Sequence, residues 1–121
     1  MRAFQFLVRC VFVVVPGIGS GCLHGCFTTI TVQGASPKSA ASQVPALLKQ
    51  RMSESGVGAV ADGLCRTQCV IDEIWELAND SSDGVQGSGF SFFKIGAAAK
   101  FTIIINFWWI RLSKPHMLID L

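Results

Sequence analysis

The apolar positions of this chain gather in two runs, one near each end and the first of them uninterrupted, with a helically spaced stretch between them. The first run is "CVFVVV", residues 10–15, preceded by Arg2 and Arg9 and closed by Pro16-Gly17. Two membrane-directed readings fit it. As a signal peptide, residues 1–21 carry a cationic start, a short apolar centre, a helix-breaking Pro-Gly and the small residues Gly19-Ser20-Gly21 ahead of Cys22. As a signal anchor, residues 3–23 reach the roughly 20 positions a helix needs to cross about 30 Å of hydrocarbon. Arg9 counts against both, because a charge at mid-helix costs about 2.5–3.5 kcal/mol on the insertion scale. The competing reading is a buried strand over residues 8–15, turned by Pro16-Gly17.

Residues 22–43 read as irregular, with a short β-branched strand at "FTTITV" (27–32) and a small-residue linker, "QGASPKSAASQ", at 33–43. The middle predicts a helical hairpin over 44–79, closed by the turn "NDSSDG" so that the segment runs to 83. Pro45 suits a first turn with Ser42 as a cap upstream, and Val44, Leu47, Leu48 and Met52 share a face. After "SESGVG", Val57, Val60, Leu64, Ile71, Ile74 and Ala78 recur at helical spacing, with Asp72, Glu73, Glu76 and Asp80 opposite. A Gly/Ser stretch from 84 then leads to the second apolar run, "FTIIINFWWI" at 101–110. It spans a bilayer only if extended back to Ile95 across Lys100, with Trp108, Trp109, Arg111 and Lys114 as an interface anchor. The alternative pairs "FSFFKIG" with "KFTIIINFWWI" as a β-hairpin.

The expected fold is therefore mainly α: a helical hairpin flanked by apolar terminal segments read as membrane helices. The alternative is a small α+β fold with terminal strands.

Composition supports an unusual surface. Half of the residues are hydrophobic and 15% are charged, against a customary charged share of roughly 25%. That excludes simple disorder and predicts self-association in water through the apolar ends. A net charge of +2, with scattered lysines and arginines, excludes nucleic acid as a partner. Lipid remains a candidate partner, and no protein partner is identifiable.

Cysteines supply the only paired chemistry. Cys22 and Cys26 form one C-x3-C, and Cys65 and Cys69 another. Removal of residues 1–21 would take Cys10 with it and leave four, an even number suited to disulfides in an exported domain. The twin layout resembles the small translocase chaperones of the mitochondrial intermembrane space and the plant helical-hairpin defence peptides. In those families a short helix–turn–helix separates the pairs, whereas 38 residues do so here, and no function is carried over. His24 between Cys22 and Cys26, with Cys65 or Cys69, would be the zinc alternative. Asn79-Asp80-Ser81 is a glycosylation sequon in a lumenal setting.

Other motifs fail on particular residues. Gly17 and Gly19 are followed by Cys22 where a dinucleotide fingerprint needs glycine. A calcium loop begun at Asn79 reaches Phe90 where glutamate is required. Neither His24 nor His116 adjoins a serine elbow. The Asp72/Glu76 spacing suits paired carboxylates but is common on wet helix faces. No catalytic, cofactor or metal residues are assigned. The expected function is that of a small non-enzymatic protein of the membrane or secretory system. Two alternatives stand beside it: a soluble α+β interaction module, and a reading frame without a selected role, in keeping with the absence of tyrosine beside nine phenylalanines.

Overall fold

The computed structural model describes residues 2–17, 24–61, 63, 65–77 and 89–119. Its centre is a five-stranded antiparallel sheet, not a helical hairpin. The strands are β1 (Arg2–Val11), β3 (His24–Gly34), β5 (Gln68–Leu77), β6 (Ser91–Lys94) and β7 (Leu118–Ile119), in the order β6-β3-β1-β5-β7. A small second ladder joins β2 (Val13–Val14) to β4 (Gly58–Ala59). Helices α1 (Pro37–Ala41) and α2 (Val44–Ser55) cover one face of the large sheet, and α3 (Ala97–Ser113) packs on the other.

The mainly α expectation fails first at the N-terminus. Along β1 the apolar residues alternate: Phe4, Phe6, Val8 and Cys10 point into the core beneath α1 and α2, while Gln5, Leu7 and Arg9 face the other side. That period of two makes a strand. It is the central one, paired along its length with β3 on one side and β5 on the other. The run read as a leader or anchor is shielded by its own chain: Cys10, Val11, Phe12 and Val13 are fully buried. The run also bends. Phe12 adopts φ +60, an outlier for a bulky residue, and this sends β2 off to meet β4. Thr67 holds the bend by donating its hydroxyl to the Phe12 carbonyl at 2.6 Å while accepting the Val60 N–H at 2.8 Å.

Arg9, the residue that spoiled both membrane readings, is accounted for by the sheet. Its guanidinium lies over the Phe107 ring at 5.5 Å, with Nε 3.0 Å from Asp72 Oδ2 and Nη2 donating to Asp72 Oδ1 at 3.4 Å. The Nε contact is an ion pair off hydrogen-bond geometry. Both side chains are about three-quarters buried. Replacing Asp72 with asparagine is expected to cost about 1–2 kcal/mol, because a part-buried cation loses its anion. Asp72→Leu combined with Arg9→Met is expected to recover most of that loss. Urea unfolding of the three chains with an unchanged m-value checks it.

Half of the anticipated hairpin exists. In α2, Pro45 occupies the first turn, where its missing N–H costs nothing, and Gly56 at φ +73 closes the helix. Gln43 rather than Ser42 precedes the first residue. Val44, Leu48 and Met52 are buried, and Arg51 ties the helix to the sheet through the Thr29 carbonyl and the Thr28 hydroxyl.

The second helix is absent, and β4 and β5 take its place. One step of its helical spacing, from Ile71 to Ile74, comes from a β-bulge. Val8 pairs with Ile71 and Leu7 with Glu73, leaving Asp72 as the extra residue. The bulge shifts the alternation by one, so Ile71 and Ile74, three apart, lie on the same face opposite Val8 and Phe6. The linker at 33–43 is also more ordered than expected. β3 continues to Gly34, and α1 follows with Ser36 capping it through the Ser39 N–H.

At the C-terminus the apolar run is a helix, not the strand of a hairpin, and "SFFK" (Ser91–Lys94) pairs with β3 instead. No described helix is long and apolar enough to cross a membrane. Helix α3 has 17 residues, about 25 Å at 1.5 Å per residue, short of the roughly 30 Å hydrocarbon core.

Candidate functional site

The cysteines converge, but through a residue that the sequence had set aside. Cys10 is paired in register with Cys26 of β3 and with Cys69 of β5, so three thiols line up across the middle of the sheet, all fully buried. Cys69 Sγ lies 2.8 Å from Cys10 Sγ. No disulfide is formed among the described residues. Of the possible disulfide partners Cys22, Cys26, Cys65 and Cys69, this corrects the three that are described, Cys26, Cys65 and Cys69. Cys26 and Cys69 each sit opposite Cys10. Cys65 is half-buried in the loop before β5, at the margin of the α3 cluster. Cys22 lies outside the described residues, as does Asn79 of the sequon.

The row is electrostatically quiet. For Cys10, the hydrogen bond with Cys26 lowers the pKa, but contact with Cys69 and burial outweigh it and push the thiol well above its ordinary value. Hydrogen bonding to Cys10 and then burial raise Cys26 in the same direction. Thiols held protonated in an apolar core are poor nucleophiles and poor metal ligands. The signal that could have revealed the row is the period of two from Phe4 to Cys10, which gives Cys10 an inward place on a strand.

The remaining polar candidates are dispersed. Asp72 and Glu76 form no carboxylate pair: Asp72 meets Arg9, and Glu76 accepts a hydrogen bond from Arg2 at 3.2 Å at the other end of the strand. His24 is buried at the start of β3 on the same face as Cys26, with no hydrogen-bond partner at Nδ1 in the described structure. Among the described residues no group of three His, Cys, Asp or Glu side chains is placed to hold a metal ion. A cleft of about 280 Å³ between β5, β7 and residues 59–61 is lined by Arg66, Thr67, Gln68 and Arg111 together with apolar groups that include Leu118 and Ile119.

What stands out is the outer side of α3. The helix is anchored by Phe107, fully buried against Val11, Phe12, Val70 and Ile95, with Ile103, Ile104 and Ile110 half-buried around it. Leu112 faces the opposite way, together with Phe101, Ile105, Trp108 and Trp109, at 63–80% exposure. Four of these five recur at steps of four, three and four, and so form a single stripe. At roughly 150–250 Å² for an aromatic side chain, the stripe together with Trp109 presents on the order of 700 Å² of apolar surface. Monomeric proteins seldom expose a contiguous patch beyond about 300–600 Å². The helix is thus apolar on two sides, one spent on the core and one turned outward. Its low polarity made it read as a membrane span.

Comparisons with known proteins add no relative to this picture: no family model, curated protein or solved structure matches the chain.

Proposed function

We propose that the chain is a small non-enzymatic α+β interaction module whose working surface is the outer face of α3. A single observation carries this reading. A helix pinned to its own core through Phe107 holds five large apolar side chains in the open, where each costs hydration free energy unless something covers it. The dispersal of the polar groups supports the same reading. Asp72 and Glu76 are occupied by arginines, and Cys10 and Cys26 are held protonated inside the core.

The test is a site-specific photocrosslink. A benzophenone side chain replaces Trp108 in one version and Lys49, exposed on α2, in another. Irradiation of cells making the chain is expected to give a discrete adduct from position 108, lost on adding Ile105→Glu, and none from position 49. Absence of any adduct from 108 removes the docking role. A reading frame with no selected role predicts that absence, together with no detectable endogenous chain.

A further inference from the structure

The spacing on the outer face of α3 suits a helix–helix seam. Phe101, Ile105, Trp108 and Leu112 are separated by four, three and four residues. Phe101 and Trp108 are seven residues apart, as are Ile105 and Leu112, the spacing of the two alternating positions along a seam that takes a second helix. Trp109 flanks the seam on one side.

We propose that the occupant is a second copy of this chain, with the two α3 helices packed antiparallel about a two-fold axis. The inference rests on the docking reading above and adds the identity and geometry of the partner. Three observations favour it. The stripe together with Trp109 supplies on the order of 700 Å² per copy, near the roughly 800 Å² per partner of a standard stable interface. An isologous contact closes on itself, so one apolar face covers another and none is left over. The helix dipoles then fix the direction, because an antiparallel pair opposes them and a parallel pair aligns them. Charge does not choose between the two: no acidic residue lies on the helix, and Arg111 meets the Lys100 end of the second copy in the antiparallel pair and its own counterpart in the parallel one. In that arrangement Ile105 faces Trp108 of the second copy and Phe101 faces Leu112. The sheets lie on the outer sides of the paired helices, because Phe107 and the core point away from the seam.

Sedimentation velocity of the full chain is expected to show a species of twice the 13.0 kDa monomer mass, populated increasingly from about 1 to about 100 μM as mass action requires. Ile105→Glu with Trp108→Glu is expected to weaken the dimer by about 100-fold or more, the scale of losing central anchors. Its far-UV circular dichroism and cooperative melt should be retained, since both side chains are exposed in the single chain. Direction is read separately. An oxidised mixture of Ile105→Cys and Trp108→Cys chains is expected to give the mixed disulfide in preference to either symmetric one.

A chain that stays monomeric to 100 μM overturns the proposal, as does a dimer indifferent to the double glutamate variant. A predominant 105–105 crosslink overturns the antiparallel geometry. A monomer that instead binds phosphatidylserine vesicles, and loses that binding in the same variant, overturns the dimer while leaving α3 as the docking face. An adduct from position 108 to a different protein does the same.

Discussion

A chain lacking residues 1–21 is expected to lose cooperative folding altogether. The leader and anchor readings treat these residues as dispensable to the mature domain, whereas the sheet is built around them. β1 supplies the ladder for β3 on one side and for β5 on the other. Without it the two flanking strands have no common neighbour. Phe4, Phe6, Val8, Cys10, Val11, Phe12, Val13 and Val15 are also buried. At roughly 1.5–3 kcal/mol for each large apolar side chain, their loss removes on the order of 10–20 kcal/mol. That equals or exceeds the roughly 5–15 kcal/mol by which a domain is stable. Thermal and urea unfolding, followed by circular dichroism, should show a sigmoidal transition for the full chain and none for the shortened one. A shortened chain that melts cooperatively would mean that the sheet does not depend on its central strand.

The largest single substitution effect is expected at Phe6. Its ring is fully buried beneath α2, between Ile30 on β3 and Ile74 on β5. Phe6→Ala deletes most of an aromatic side chain at the crossing of three strands, where neighbours on both sides are fixed by pairing and cannot collapse inward. The expected cost is about 3–5 kcal/mol, enough to leave a 121-residue domain marginal. Phe6→Leu, which keeps most of the volume, is expected to cost clearly less. Both are read as a fall in the urea midpoint at constant m. Equal losses for Ala and Leu would place the ring outside the packed centre.

Three errors in reading the sequence share a physical origin. Apolar runs were weighed by their length and not by what could cover them. "CVFVVV" has the density of a leader, yet its register places it between two other strands. The periodicity of residues 57–78 looked helical in part because a bulged strand steps by three across the bulge, which brings Ile71 and Ile74 to one face. Helical and bulged-strand spacings coincide locally, and only the partner strand separates them. The third error was to discount Cys10. A cysteine dismissed with the leader is the one that touches both of the others, because it sits on the strand between theirs.

Residue order alone determined several features, through local rules that need no partner. These are α2, from its Pro45 start to its Gly56 stop; the strand character of "FTTITV"; the turn at Pro16-Gly17; and the largely apolar character of 101–110. Each depends on backbone preference or on spacing within a few residues. The pairing of β1 between β3 and β5, the burial of Arg9 against Asp72 and Phe107, the row of three thiols, and the choice of which side of α3 stays in water were decided only by tertiary contacts. Each of these joins residues tens of positions apart, and a chain so uniformly apolar offers several segments the same free energy of burial until register and shape choose among them.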